Sequence, residues 1–447
     1  MNTSDLIIIG AGPGGYEAAL QAARAGLTVT LIEAAHFGGT CLNAGCIPTK
    51  CLAHSAEVYQ LAKQSAGIGV GCPEVSLNLQ QAVAHKNAVI EQLRLGIATL
   101  MKTPGITCVT GKAHFVDDHT VAVEDAQYTA KHIIIASGST TKRLPVEGAN
   151  LECVITSDEI LNLTAVPRRL CVIGGGVVGL EFAAIFNTFG AEVTVVEYCK
   201  EVLPNLDKDM AKRLRTALKK QGIAFFTESG VQRIETTPDG SARVVFAQKG
   251  NEATVEADLV LMAVGRAPNV TPLNLEAAGV DYTPKGIKVD DNMHTSVPHI
   301  FAIGDANGLC PLAHAATFQG HRAVNQILGK TDTIDLNLVP SAVYTSPQLA
   351  CVGLREEDFT TEKPVVHKAF YRANGRALTM DAQEGYLKIL ANAEGRILGA
   401  HIMGDQASEL IHEAATLMKL GATVDQLKDI IHAHPTLSEL YLSAVKA

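Results

Sequence analysis

Residues 6–33 read LIIIGAGPGGYEAALQAARAGLTVTLIE, and residues 170–197 read LCVIGGGVVGLEFAAIFNTFGAEVTVVE. Each segment is an apolar strand-like run, a G-x-G-x-x-G turn, an apolar helical stretch, a glycine, a second strand and a closing acid. The glycines are Gly10, Gly12 and Gly15 in the first copy and Gly174, Gly176 and Gly179 in the second. The first glycine permits the tight turn, the second lets backbone approach a pyrophosphate, and the third lets helix pack on sheet. The helix N-terminus then offers unpaired N–H groups to phosphate. Glu33 and Glu197 stand where a carboxylate accepts from a ribose 2′-hydroxyl and repels a 2′-phosphate, which favours NAD over NADP at the second site. Two such units in register predict an α/β protein with two Rossmann-like domains, holding two dinucleotides between which electrons pass.

Outward from these units the chain has 447 residues, more than one ordinary core accommodates, and suits about three domains. Its formal charge of −9 and lack of a basic run exclude a nucleic-acid partner. No apolar stretch approaches the ~20 residues of a membrane span. The opening MNTSDLIIIGAGPGG lacks the basic region of a signal peptide and enters a strand directly, so a cytoplasmic protein is expected. The ten cysteines are then reduced thiols, most of them buried as small hydrophobes.

One cysteine cluster differs. Residues 38–51 read GGTCLNAGCIPTKC, with Cys41 and Cys46 among glycines and Pro48 where a helix could start. A helix N-terminus lowers a thiol pKa and favours thiolate. By itself the pair is open to a structural role, half a zinc site, or redox chemistry. Zinc needs two further ligands, and no second Cys or His pair stands at suitable spacing, so no metal is expected. Near the C-terminus, HAHPTLSEL (432–440) sets His434 before Pro435, with Glu439 within reach if a helix follows the proline. A carboxylate on an imidazole raises its basicity and selects its tautomer. His432 is a decoy nearby.

GGTCLNAGCIPTK resembles the active-site signature of the flavoprotein disulfide reductases, and the resemblance extends along the chain. GDANGLCPLAHAATFQG (304–320) resembles the second FAD segment, AVGRAPN (263–269) the hand-over to the central domain, and YTSPQLACVG (344–353) the opening of the interface domain. Within the family the chain looks like members that oxidise protein-bound dihydrolipoamide and reduce NAD. The resemblance implies a redox disulfide, Cys41 outermost and Cys46 against the flavin. His434 held by Glu439 would be the base, acting on the partner subunit's site. Lys50 would pair with Glu181 near the flavin. FAD would contact Gly10, Gly12, Gly15, Glu33, Gly39, Thr40, Lys50, Ala113, Ser137, Gly138, Asp305, Ala313 and His314. NAD would contact Gly174, Gly176, Gly179, Glu181, Glu197, Val231, Gly265 and Arg266.

The same resemblance implies an FAD domain over 1–147, an NAD domain over 148–267, a central domain over 268–338 completing the FAD site, and an α+β dimerisation domain over 339–447. The expected partners are a second copy of the chain and the lipoyl domains of a 2-oxoacid dehydrogenase or glycine cleavage complex. Glutathione-type reductases share the cysteine signature but favour NADP, which Glu197 opposes. Mercuric reductases carry a C-terminal cysteine pair, absent after Cys351, and a non-catalytic flavoprotein redox sensor would have no use for His434 and Glu439. The chain departs from the family pattern at Ser137, at Gln348 and in AATFQG (315–320). Cys51 is an additional thiol, read as packing.

Overall fold

The computed structural model describes residues 2–360 and 362–446, which divide into two compact units. The first unit comprises 1–51, 81–142 and 266–336. Its seven-stranded sheet is built on Asn2–Ile9, flanked in parallel by Val29–Glu33 and Ala126–Ile135. Ile106–Thr110 extends one edge. The other edge is shared: Thr120–Val123 pairs antiparallel with the start of Ala126–Ile135, and Ile300–Ala302 pairs parallel with its end. Ala113–Phe115 completes the sheet. Leu6, Ile7 and Ile8 are wholly buried, the unbroken apolar run of a strand covered on both faces. The helices Pro13–Arg24 and Ala313–Ile327 lie against each other, with Gly14 and Gly320 at their closest approach: a β-carbon on Gly320 would stand 2.8 Å from the Gly14 carbonyl oxygen.

The second unit comprises 52–80, 143–265 and 337–447 and contains three larger sheets around two separate cores. A parallel sheet runs in the order Ala224–Phe226, Glu192–Val196, Arg169–Ile173, Leu259–Met262, Val154–Ile155. An antiparallel meander, Ser229–Thr236, Ala242–Gln248 and Asn251–Ala257, accompanies it. The amphipathic helix before the meander, Lys208–Lys220, stops just short of Gly222, whose φ of +103° suits glycine. The C-terminal sheet is antiparallel, in the order Ser341–Val343, Gln348–Gly353, Ile397–Gly404, Tyr386–Ala391, Val365–Phe370. Helices Ala407–Lys419 and Glu439–Lys446 pack on it. The departure at Gln348 has a structural use, because its Oε1 accepts from the Ser408 N–H at the start of helix Ala407–Lys419. No helix among the described residues is long and apolar enough to cross a membrane.

Candidate active site

The two glycine-rich turns are built alike. Gly10 and Gly174 have φ near +105°, and each N–H donates to the strand that bears the closing acid, at Ile32 and Val196. A β-carbon on Gly10 would stand 2.3 Å from the Ala136 carbonyl oxygen, and one on Gly174 would stand 2.4 Å from that of Ala263. Gly15 and Gly179 lie as tightly over the Gly10 and Gly174 carbonyls. Around Gly176, by contrast, a β-carbon meets nothing within 4 Å, which leaves room for a phosphate at the helix start. The acids are held by their own turns. Glu33 accepts from Ala11 and Ala35 N–H at 2.7 and 2.9 Å, and Glu197 from Gly175 and Cys199 N–H at 2.5 and 2.6 Å.

The rest of the first cradle gathers around Ser137. Its hydroxyl is buried with no hydrogen-bond partner among the described residues, as for a donor shaped to face a bound group. Next to it Ser139 donates to Asp305 Oδ2 at 2.5 Å. Arg266 stands in this first unit and donates to Ser139 Oγ at 2.7 Å, to its carbonyl at 2.6 Å and to Thr40 Oγ1 at 3.3 Å. Sequence reasoning set Arg266 on NAD. It is engaged here because Arg266–Pro268 pairs antiparallel with Ser139–Thr141. Sequence reasoning also missed Ser139 and Gln319. Buried Gln319 accepts from Gly304 N–H at 2.7 Å and from Asn307 Nδ2 at 2.9 Å, fixing the turn that carries Asp305. This accounts for an uncharged residue in the divergent 315–320 stretch.

Among the other expected contacts, Gly39 opens helix Gly39–Ala44, and a β-carbon there would stand 2.7 Å from Gly12 Cα. Gly138 has a φ of +70°. Ala113 is buried on its strand, and Ala313 and His314 open helix Ala313–Ile327. In the second unit Val231 pairs with Phe246, and Gly265 has a φ of +102°. Glu181 is buried on helix Val177–Thr188 and accepts from Tyr344 N–H at 2.9 Å.

The cysteine pair straddles a break between two helices. Cys41 lies in Gly39–Ala44, and Cys46 is the first residue of Cys46–Gln64, so the helix starts earlier than Pro48 suggests. Gly45 makes the break tight enough: a β-carbon there would stand 2.9 Å from the Thr40 carbonyl oxygen and 3.4 Å from Cys41 Cα. Cys46 therefore comes back into hydrogen-bonding contact with Cys41. That contact and burial push the Cys41 thiol up, while the Lys50 ammonium, one turn along the helix, pulls it down. Two thiols in contact share one proton more readily than they shed two, and a nearby cation stabilises the single thiolate. Burial also pushes Cys51 up, with the Lys86 ammonium opposing.

In the second unit His434 Nδ1 meets Glu439 Oε1 at 3.0 Å, and Glu439 Oε2 accepts from Thr436 N–H at 2.8 Å. The Thr436 N–H, and then His434, hold the Glu439 carboxyl below its usual range. Glu439 reaches His434 through a turn, for helix Glu439–Lys446 begins only at the acid itself. The carboxylate selects the Nδ1–H tautomer, so Nε2 carries the basic lone pair. The His434 side chain is 79% exposed, which suits a base that meets an incoming reactant. His432 is paired differently, with Glu413 at 2.7 Å and the Ile430 carbonyl at 3.1 Å.

Paired dinucleotide cradles, vicinal thiols and a carboxylate-held histidine define a flavin-linked disulfide oxidoreductase. Residues 4–320 match the family described as pyridine nucleotide-disulphide oxidoreductase, residues 339–445 match that family's dimerisation domain, and the chain belongs to this family. It is an oxidoreductase that uses FAD and NAD. Among its relatives, the dihydrolipoyl dehydrogenase of Bacillus subtilis is 39% identical, covering 99% of this chain and 96% of the relative. The mitochondrial dihydrolipoyl dehydrogenase of Pisum sativum is 40% identical, covering 99% and 91%. In structure the chain is similar to the HOCl-induced flavoprotein disulfide reductase RclA from Escherichia coli, with a TM-score of 0.89 and 30% identity over 99% of both chains.

Proposed function

We propose that this chain oxidises protein-bound dihydrolipoamide to lipoamide through Cys41 and Cys46, with NAD as final acceptor. The observation that carries the reading is the His434–Glu439 pair, whose exposed imidazole keeps a basic Nε2, in a chain that also holds two thiols in contact. In the oxidised enzyme the two cysteines form a disulfide. His434 Nε2 takes a proton from one substrate thiol. The resulting thiolate bonds to Cys41 sulfur, the Cys41–Cys46 bond breaks, and Cys46 leaves as thiolate. The second substrate thiol then attacks the mixed disulfide, lipoamide departs, and Cys41 is left as thiol. Lys50 stabilises negative charge at the pair, and Glu181 is its proposed ion-pair partner. The bound flavin supplies the route by which the electron pair reaches NAD.

The remaining assignments belong to the same proposal. Residues 1–147 and 268–338 hold FAD, 148–267 holds NAD, and 339–447 joins two copies, so that His434 serves the partner subunit's thiols. The match to a dimerisation domain supports this, as do the strongly exposed apolar side chains Leu420 and Ile431. The macromolecular partners are lipoyl domains of a 2-oxoacid dehydrogenase or glycine cleavage system. Ten cysteines, Cys72 and Cys108 exposed among them, suit the reducing cytoplasm.

The test is NADH formation from NAD and dihydrolipoamide, with NADP and glutathione as controls. Turnover with NAD and dihydrolipoamide alone is expected. A yellow, folded protein that turns over only another disulfide substrate would assign it beside RclA-like or glutathione-type reductases, and one inert to all of them would leave a flavoprotein redox sensor.

A further inference from the structure

Away from the thiols and the cradles, the first unit brings two histidines together from distant parts of the chain. His119 lies in the turn between Ala113–Phe115 and Thr120–Val123, and His299 immediately precedes Ile300–Ala302. Their rings stack with centroids 4.0 Å apart and planes 5° from parallel. Asp118 adjoins them, and one ligand atom from each of the three lies within 4.8 Å of the others. Asp117 Oδ1 accepts from His119 N–H at 2.9 Å and shapes the turn.

The hydrogen bonds settle which nitrogens are available. His119 Nδ1 lies 2.9 Å from the Ala130 carbonyl, and His299 Nε2 lies 2.9 Å from the Asp118 carbonyl. A carbonyl only accepts, so each of those nitrogens carries the proton. His119 Nε2 and His299 Nδ1 are therefore left with lone pairs. An imidazole that donates one N–H to a backbone carbonyl and offers its other nitrogen is how proteins orient metal-binding histidines. A third imidazole, His132, has a buried Nδ1 with no hydrogen-bond partner among the described residues.

We propose that Asp118, His119 and His299 form a binding site for one divalent transition-metal ion of the imidazole-preferring kind, Zn(II), Cu(II) or Ni(II). Imidazole donors select these ions over Mg(II) and Ca(II), and the Asp118 carboxylate offsets part of the charge. Metal–nitrogen bonds run to about 2.0–2.1 Å. Lone pairs of parallel rings point along parallel planes, and His299 meets Asp118 Oδ2 through its protonated Nε2 at 3.9 Å, so binding turns the His299 ring out of the stack, with water completing the shell. The ion would tie the 117–120 turn to the chain entering Ile300–Ala302. Sequence spacing hides the site, because its two histidines are far apart in the chain.

The test uses FAD-loaded enzyme with its redox pair oxidised and all other thiols alkylated, so that sulfur cannot compete. Cu(II) is titrated and followed by electron paramagnetic resonance, and Zn(II) is titrated with thermal unfolding as readout. One Cu(II) per chain with a nitrogen-ligated spectrum is expected, and Zn(II) should raise the Tm. His119→Gln or His299→Gln should weaken binding by more than the roughly 10–100-fold that loss of an outer-shell partner costs. The double variant should lose the spectrum and the Tm shift while keeping its flavin and turnover. Equal binding in the double variant, or no stoichiometric binding by the parent, overturns the proposal.

Discussion

At the scale of the residue, the chemistry depends on where single protons sit. Glu439 orients His434 through Nδ1 and is itself fixed by the Thr436 N–H. His434→Gln should therefore lower turnover with dihydrolipoamide by about 10²–10⁴-fold, the usual worth of a positioned base. Glu439→Gln keeps the hydrogen bond but removes the charge, so the turnover–pH profile should move while the flavin spectrum stays. Cys46→Ser should retain yellow, bound FAD and lose dihydrolipoamide turnover altogether. Glu197, its carboxylate gripped by the Gly175 and Cys199 N–H groups, disfavours a 2′-phosphate. Replacing it with Ser should raise kcat/KM for NADP relative to NAD, measured with both nucleotides at one substrate concentration.

At the scale of the element, the second unit hides an ionic latch. Asp207 caps helix Lys208–Lys220 by accepting from the Met210 N–H. The same carboxylate accepts from Lys388 Nζ at 2.6 Å, and Glu356 accepts from it at 3.0 Å. Lys388 sits in strand Tyr386–Ala391 with a side chain 0% exposed, and Asp207 is 1% exposed. Removing one partner of a buried pair leaves a desolvated charge, at a cost of about 3–5 kcal/mol. Lys388→Met should lower stability by that amount in denaturant unfolding, and Lys388→Met with Asp207→Asn should recover part of it. Burial raises the Asp207 carboxyl, but the Lys388 ammonium and the cap bond outweigh it, so its net direction is down. The stability it contributes is present above the unfolded carboxylate pKa of about 4 and fades as pH falls below it.

At the scale of the whole molecule, pH and assembly are the levers. His401, opposite Lys388 in the sheet register, is wholly buried, donates from Nε2 to the Leu354 carbonyl and leaves Nδ1 without a partner among the described residues. Burial pushes its pKa down, so the fold holds the neutral ring. A depressed pKa means that its contribution is complete above the unfolded value of about 6.5 and is lost as pH falls below it. Tm should thus decline between about pH 7 and 5, and His401→Gln should flatten that decline in a thermal scan. If His434 serves the partner subunit, dilution to a verified monomer should abolish turnover, and mixed dimers of His434→Gln with Cys46→Ser should regain part of it.

Much of this protein was legible without coordinates because its signals are local. A glycine turn, a following helix and a closing acid fall within one βαβ unit, and the cysteine pair and His434–Glu439 each lie within a few residues. Periodicity and spacing read such units directly. The contacts of Arg266, Gln319, Gln348 and Lys388 were not legible, because each partner lies far away in sequence. Arg266 is fixed by a two-stranded pairing to 139–141, and Gln319 by the turn at Asp305. The sequence by itself determined the two glycine-rich turns and the nearness of Cys41 to Cys46 and of His434 to Glu439, since short-range backbone geometry dictates them. Tertiary packing alone decided the partners of the buried polar groups and the meeting of His119 with His299, because a polar group removed from water bonds whatever the fold brings within about 3 Å.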